Sequence, residues 1–242
     1  MIYLKHADIH TEKFPVLDFY PFNLEIFQNT DRIEFNNPIT LFIGENGTGK
    51  STLLKALAIR CGIHIWQNDF NLRCERNPYE DDLCKAITIQ WKNGSIPGSF
   101  FGSQIFSDFT KTLEEWAIND AGMFNYFGGK SLVTQSHGQS LMSYFQSRYN
   151  IKGLYFLDEP ETALSPSSLI ELLNLLIKIS KNGHAQFLIA THSPFLMACP
   201  DSRLFSFDNH VVEPIKYEDT AYYKIYKNFM NNPDEFIKTE SV

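Results

Sequence analysis

One short pattern constrains this chain of 242 residues more than any other: Gly-x-x-x-x-Gly-Lys-Ser occurs once, at residues 44–51. The β-branched apolar run at residues 39–43 predicts a buried strand before it, and the helix formers at residues 51–59 predict a helix after it. Glycines allow the loop to wrap so that backbone N–H groups point inward, where the helix N-terminus adds a partial positive charge. The sequence therefore predicts a phosphate-binding loop made by Gly44, Glu45, Asn46, Gly47, Thr48, Gly49, Lys50, Ser51 and Thr52.

A second apolar run, at residues 154–157, ends in two adjacent acids, Asp158 and Glu159. In a nucleotide site, Lys50 would reach the β and γ phosphates and the Ser51 hydroxyl would ligate Mg²⁺. We expect Asp158 to hold Mg²⁺ through water, and Glu159 to polarise the attacking water. The alternative is an ordinary acid pair beside a proline at the start of a helix, but the phosphate loop upstream favours the catalytic interpretation.

The order of the predicted elements indicates an α/β fold. Two buried strands and an amphipathic helix are predicted at residues 154–157, 185–190 and 167–180. Strands that alternate with helices predict a mainly parallel sheet with helices on both faces. Residues 31–35 and 86–91 alternate in polarity and predict an antiparallel flank. No repeat or linker divides the chain, and 43% of its residues are hydrophobic, so residues 1–242 are expected to form a single domain.

Composition argues against several classes of protein. The net charge of −7 does not exclude nucleic-acid binding, because a local basic strip could suffice, but it removes the simplest argument for such binding. No Lys/Arg run marks a DNA-binding arm. None of the four cysteines forms a Cys-x-x-Cys pair, so a zinc site has no support. The first residues lack the apolar run of a signal peptide, and no stretch reaches the roughly 20 apolar residues of a membrane helix. We therefore expect a soluble, cytoplasmic protein without a membrane segment of its own.

A segment in the middle of the chain resembles the Leu-Ser-Gly-Gly-Gln signature of ABC-type ATPases. It spans residues 135–139, and its serine lies 22 residues before Asp158, about where that family has it. The segment keeps three of the family's residues, Ser136, Gly138 and Gln139. It departs from the family at Gln135, which replaces the leucine, and at His137, which replaces the first glycine. In the family this segment caps the γ phosphate bound by the opposite subunit; a plain helix cap is the alternative.

Two later segments resemble further motifs of the same family. Residues 162–165 resemble the D-loop, with Ser165 where the family has aspartate. His192 follows an apolar strand 34 residues after Asp158 and resembles the switch histidine, which hydrogen-bonds the γ phosphate. A lone histidine at a strand end is usually structural, but the order and spacing of the motifs favour the switch role.

The glutamine of the family's Q-loop is represented by Gln104, which lies between the phosphate loop and the signature. An amide at this position contacts Mg²⁺ and the attacking water in the family. Gln90 is an alternative, although it lies in a predicted strand. An ordinary surface amide is the third interpretation.

The chain most resembles small stand-alone bacterial ATPases of the AAA group, on the RecF/OLD-like side of the superfamily. Only 84 residues separate Ser51 from Ser136 and they contain no heptads, which excludes a coiled-coil arm. The segments that carry the resemblance are residues 20–22, 135–138 and 217–220, followed by Phe229, Asn232, Pro233 and Phe236. Tyr20 and Phe22 are candidates for an adenine-stacking aromatic, with core or loop packing equally open for both.

The resemblance implies an ABC-type head that uses ATP and Mg²⁺, with a helical subdomain at about residues 61–149. Ser136 cannot cap its own phosphate in such a fold, so the resemblance also implies a homodimer that sandwiches two ATP molecules. Three roles remain open. They are a switch in DNA repair or phage defence that acts with an effector protein or DNA, the ATPase subunit of a transporter, and an ATP-binding module with little turnover. The intact Asp158–Glu159 pair argues against the third.

Overall fold

The computed structural model describes residues 1–65, 77–102, 106, 110, 112–115, 117, 122 and 137–237. Its strands are, in chain order, β1 (Leu4–Ile9), β2 (Arg32–Glu34), β3 (Ile39–Ile43), β4 (Ile87–Trp91), β5 (Gly98–Gly102), β6 (Gly153–Asp158), β7 (Ala185–Ala190), β8 (Arg203–Ser206) and β9 (Glu213–Ile215). Its helices are α1 (Glu25–Gln28), α2 (Lys50–Arg60), α3 (His137–Arg148), α4 (Pro166–Lys181), α5 (Pro194–Met197) and α6 (Ala221–Asn231). No helix in the described part of the chain combines the length and the apolar character needed to cross a bilayer.

The larger sheet has the strand order β5-β6-β7-β3-β8-β9. Its neighbouring strands are parallel, apart from β9, which runs antiparallel to β8. The predicted mainly parallel sheet is therefore confirmed. Phe42 pairs with Ala190 on one side and lies level with Phe205 on the other, and Ala190 pairs in turn with Asp158. Because the carboxyl ends of adjacent parallel strands meet at one edge, the loops after β6, β7, β3 and β8 lie side by side.

The smaller sheet is antiparallel and has the order β2-β1-β4. The predicted flank over residues 31–35 and 86–91 is confirmed as β2 and β4. Its central strand, β1, was not predicted. Leu4, Ala7 and Ile9 of β1 are buried, but polar residues between them hide the apolar face in the sequence.

Side chains on the two faces of the larger sheet enter two separate cores. In β6, Leu154 and Phe156 pack into the first core, and Tyr155 and Leu157 into the second. The first core also takes side chains from α2 and the antiparallel sheet, and the second takes them from α3, α4 and α5. The phosphate-loop helix α2 and the helix α3 therefore pack on opposite faces of the sheet.

The predicted helical subdomain at about residues 61–149 lies only partly within the described residues. That range contains β4 and β5, which belong to the two sheets, as well as α3. The helical subdomain at about residues 61–149 stays a prediction.

The buried side chain of Gln186 joins the two sheets. Its Oε1 accepts hydrogen bonds from the backbone N–H groups of Tyr3 and Leu4, both at 2.8 Å, and its Nε2 donates to the Leu4 carbonyl at 2.9 Å. Gln186 is fully buried in β7. One amide thus satisfies three main-chain groups at the start of β1 and holds the antiparallel sheet against the parallel one.

Replacing this amide by an apolar side chain of similar size should destabilise the fold. Gln186→Leu leaves three buried main-chain groups without partners, and each unsatisfied group costs about 1–3 kcal/mol, so a loss of about 3 kcal/mol in the free energy of unfolding is expected. Urea denaturation measures it. The exposed Gln90→Leu in β4 is the control, with an expected change under about 0.5 kcal/mol. Equal effects of the two substitutions would contradict the role given to Gln186.

Candidate nucleotide-binding site

The loop between β3 and α2 depends on glycine at both of its ends. Gly44 has φ +143° and Gly49 has φ +101°, where L side chains are strained. A Cβ on Gly44 would lie 2.8 Å from Oδ1 of Asp208, and one on Gly49 would lie 2.8 Å from Cζ of Phe27. Both positions therefore lack room as well as conformational freedom for a side chain. Asp208 and Phe27 therefore lie close against the two ends of the loop.

The Lys50 ammonium folds back over its own loop. Its Nζ donates to the carbonyls of Gly44 at 2.7 Å and Glu45 at 2.6 Å. Burial lowers the pKa of Lys50, and the nearby carboxylates of Glu159 and Asp208 act against that shift. The ammonium group therefore has two neutral carbonyls of its own loop as hydrogen-bond acceptors. Phosphate oxygens would be stronger acceptors for the same group.

Ser51 and Asp158 meet directly across the strand edge. The Ser51 hydroxyl donates to Oδ1 of Asp158 at 2.6 Å. Burial raises the pKa of Asp158, and this hydrogen bond acts in the opposite direction. The described residues contain no group of three or more His, Cys, Asp or Glu side chains suited to a metal. Two hard oxygen donors fit Mg²⁺, which ordinarily binds one or two carboxylates together with substrate phosphates.

Glu159 adopts a backbone conformation that is unusual for its side chain. Its φ is +47°, in the left-handed region, and its N–H donates to the Ala190 carbonyl at 2.9 Å. Pro160 follows and opens a short 3-10 turn. The Glu159 side chain is 40% exposed, and its Oε1 lies 3.4 Å from Nε2 of His192. Such strained residues cluster at functional sites, and this turn presents an acid at the strand edge.

His192 is held in place by two different neighbours. Its N–H donates to Oε1 of Glu161 at 2.6 Å, and its Nδ1 lies 2.6 Å from the Tyr222 hydroxyl. Its Nε2 is buried and lacks a hydrogen-bond partner among the described residues. The 3.4 Å contact with Glu159 is close enough for an ion pair but does not have hydrogen-bond geometry. Burial, followed by the Lys50 charge, lowers the pKa of His192. We therefore treat the ring as neutral, so that His192 and Glu159 do not form an ion pair.

Glu161 was missed in the sequence, although it lies only two positions after Glu159. Its Oε1 also accepts from the Thr191 hydroxyl at 2.7 Å. Burial raises the pKa of Glu161, and the hydrogen bonds from Thr191 and His192 act against that shift. One carboxylate oxygen thus fixes both residues that follow β7. A third acid so close to the pair was the signal available in the sequence.

Two further residues join the site from distant parts of the chain. Asp208 follows β8, and its Oδ1 accepts from the Glu45 N–H at 2.8 Å. Tyr222 lies in the first turn of α6, and its hydroxyl donates to the Gly44 carbonyl at 3.1 Å. Tyr222 lies two positions after residues 217–220, which carry part of the family resemblance, so this part of the tail lies beside the phosphate loop.

The remaining predicted site residues are only partly described. Gln104 and Ser136 lie outside the described residues. Gly138 and Gln139 belong to the first turn of α3. The rival glutamine, Gln90, lies in β4, where its amide donates to the Trp91 carbonyl at 3.0 Å.

The two adenine candidates differ in exposure. Phe22 is fully buried in the first core, whereas Tyr20 is 41% exposed. The Tyr20 hydroxyl is hydrogen-bonded to the Thr52 hydroxyl. Tyr20, Ser51, Thr52 and Lys55 line one cavity of about 100 Å³ beside the start of α2. The structure therefore places Tyr20, and not Phe22, beside the candidate site.

Comparisons with known proteins agree with this arrangement. Residues 22–63 match the family model "AAA domain", and residues 141–198 match "AAA domain, putative AbiEii toxin, Type IV TA system". The iron(3+)-hydroxamate import ATP-binding protein FhuC of Bacillus subtilis is 25% identical over 169 residues, which cover 64% of this chain and 62% of that protein. The thiamine import ATP-binding protein ThiQ of Haemophilus influenzae is 25% identical over 206 residues, which cover 80% of this chain and 88% of that protein.

Solved structures are similar in fold at lower sequence identity. The cbiO1 structure from Clostridium perfringens, part of an ABC transporter complex, has a TM-score of 0.54 at 16% identity, over 97% of this chain and 98% of that one. An ATP-binding cassette of an ABC transporter in its ADP conformation has a TM-score of 0.50 at 17% identity, over 97% of this chain and 96% of that one. The fold is that of an ABC ATPase head. With the AAA matches and the ATP-binding relatives, it supports an ABC/AAA-type ATPase.

The hydrogen bonds of Glu161 should hold Thr191 and His192, the two residues that follow β7, in place. Glu161→Ala leaves the His192 N–H and the Thr191 hydroxyl without this acceptor, and a loss of about 2 kcal/mol in the free energy of unfolding is expected. Amide hydrogen exchange at His192 should also become faster. Glu171→Ala, at an exposed position of α4, is the control and should change stability by less than about 0.5 kcal/mol. Unchanged exchange at His192 in Glu161→Ala would refute this role.

Proposed function

We propose that this chain, with the fold of an ABC ATPase head, binds and hydrolyses ATP with Mg²⁺ at the edge of its parallel sheet. The observation that carries the proposal is the convergence of four loops there. The phosphate loop, the acid pair, His192 and Asp208 follow adjacent strands, and the Ser51 hydroxyl lies 2.6 Å from the Asp158 carboxylate. ATP hydrolysis requires all of these groups to lie within reach of the same γ phosphate.

The phosphate loop supplies the binding energy in this proposal. Main-chain N–H groups of residues 44–52 and the helix N-terminus of α2 bind the phosphates. Lys50 exchanges the carbonyls of Gly44 and Glu45 for the β and γ oxygens. Ser51 and Asp158 would hold Mg²⁺, which neutralises charge on the phosphates when bound. Tyr20 is placed to contact the base from the cavity beside Thr52.

Glu159 and His192, whose side chains lie 3.4 Å apart, are assigned to the attacking water and the γ phosphate. The Glu159 carboxylate accepts a hydrogen bond from the attacking water and orients it for in-line attack. Nε2 of His192, which has no other hydrogen-bond partner among the described residues, is available to the γ phosphate. Gln104 is proposed to contact both Mg²⁺ and the water. It lies two positions after β5, whose last residue, Gly102, is level with Asp158.

Each head is proposed to complete the other head's site. Gly138 and Gln139 stand in the first turn of α3, which packs on the face of the sheet opposite α2, and Ser136 directly precedes this helix in the sequence. This placement supports a role for the segment in trans, on the γ phosphate of a second copy. Two heads would then enclose two ATP molecules, and hydrolysis would release them.

Glu159→Gln should trap the dimer. The amide retains the shape of the acid but orients and activates water poorly, so turnover should fall by about 100-fold or more while ATP still binds. Light scattering with ATP and Mg²⁺ should then show a dimer. Glu171→Gln, at an exposed site of α4, should keep wild-type turnover. A Glu159→Gln protein that binds ATP and stays monomeric would overturn the sandwich.

Two cellular roles have specific support. The match of residues 141–198 to an AAA domain described for a toxin–antitoxin system favours a defence or repair switch, in line with the RecF/OLD-like resemblance. The names of two curated relatives, both import ATP-binding proteins, favour the ATPase subunit of a transporter. We propose the switch as the primary role and the transporter subunit as the alternative. An ATP-binding module would be recognised by tight ATP binding together with a hydrolysis rate near zero.

Pull-down with the ATP-trapped Glu159→Gln protein should distinguish these roles. The switch role predicts capture of an effector protein or DNA and an ATPase rate that rises when DNA or that effector is added. Capture of a membrane permease would instead support the transporter role. The matched control is Lys50→Ala, which should lose ATP binding and with it the ATP-dependent capture. Identical capture by both variants would mean that the partner does not recognise the nucleotide state.

A further inference from the structure

The start of α6 brings a tyrosine of the chain's tail into the candidate site. Thr220 caps the helix, because its Oγ1 accepts from the Tyr223 N–H at 3.1 Å and donates to the Tyr217 carbonyl at 2.7 Å. Thr220 is buried, so the cap is fixed in the body of the protein. The side chain of Tyr222, in the first turn, then reaches both Gly44 and His192.

The Tyr222 hydroxyl has one proton and two neighbours. It lies 3.1 Å from the Gly44 carbonyl oxygen and 2.6 Å from Nδ1 of His192. A carbonyl oxygen cannot donate, so the hydroxyl must donate to Gly44 if that hydrogen bond is made. The second bond then requires Nδ1 of His192 to carry a proton and to donate to the hydroxyl oxygen. Burial, with the charges of Glu45 and Asp208, raises the pKa of Tyr222 to about 12, so the hydroxyl keeps its proton.

This arrangement fixes the tautomer of His192. A neutral ring that is protonated at Nδ1 has a bare lone pair at Nε2. Nε2 then faces the Glu159 carboxylate at 3.4 Å with no proton between the two acceptors. A γ phosphate presents only acceptor oxygens. In this tautomer, His192 is therefore unable to donate to it.

We propose that Tyr222 is a positioning residue that sets the tautomer of His192 and changes it when ATP binds. On binding, the hydroxyl turns from the Gly44 carbonyl and donates to Nδ1, which leaves the proton of the neutral ring on Nε2, facing the γ phosphate. Nδ1 gives its proton to water and Nε2 takes one from water, so the ring stays neutral and the Tyr222 O–H bond stays intact. This inference rests on the proposed function, because it assumes that ATP occupies the loop.

Nitrogen NMR on protein labelled with ¹⁵N-histidine tests this directly. The chain has seven histidines, and the His192→Gln spectrum identifies the signals of His192 by their loss. We expect the Nδ1-protonated tautomer without nucleotide. With Mg²⁺ and a non-hydrolysable ATP analogue, we expect the Nε2-protonated tautomer. An Nε2-protonated ring in the nucleotide-free protein, or a fully protonated ring with the analogue, would overturn the proposal.

Tyr222→Phe removes the hydroxyl and keeps the ring. We expect the nucleotide-free protein to gain the Nε2-protonated tautomer, so that the analogue no longer changes it. We also expect kcat for ATP to fall about tenfold with little change in KM, because the ring loses its partner at Nδ1. Tyr226→Phe, which is 51% exposed on the same helix, should behave as wild type in both measurements.

The measurements separate this proposal from the proposed function. If the wild-type protein fails to hydrolyse ATP, the proposed function fails, whereas the nucleotide-free spectrum still tests the pairing of Tyr222 with His192. If hydrolysis is present and Tyr222→Phe has the wild-type tautomers, the inference fails alone. If Tyr222→Phe does not fold, the two wild-type spectra decide the matter.

Discussion

The register of four parallel strands is the constraint on which the candidate site depends. β6, β7, β3 and β8 are adjacent, and Asp158, Ala190, Phe42 and Phe205 are level with one another across them. A slip of β6 by one residue against β7 would exchange the faces of Leu157 and Asp158. The acid would then no longer face Ser51. The two packed cores on either side of the sheet oppose such a slip, because each strand fills both.

Much of this arrangement was predictable because its motifs are local. The phosphate loop, the acid pair and His192 each consist of a few residues at the end of an apolar strand, and parallel strands bring such ends together. The strand before the loop and the helix after it were predicted for the same reason. The sequence could also predict the antiparallel flank, since β2 and β4 alternate clearly in polarity.

The residues that the sequence did not reveal act through long-range contacts. Tyr222 and the Gly44 carbonyl that it contacts are 178 positions apart, and Gln186 and Leu4 are 182 apart. A tyrosine near a chain end and a glutamine within an apolar strand carry no local pattern that indicates their partners. Only the folded sheet determines which main-chain groups they satisfy. β1 was missed for a related reason, since its polar residues mask its buried face.

The Gly44 carbonyl has one consequence for affinity. It accepts from both the Lys50 ammonium, at 2.7 Å, and the Tyr222 hydroxyl, at 3.1 Å. We assign both donors a role when ATP is bound. Lys50 contacts the phosphates, and Tyr222 acts through His192. The loop thus acts as an intramolecular competitor of its own ligand, and a nucleotide must displace it. The dissociation constant of ATP would then measure a difference between two sets of hydrogen bonds.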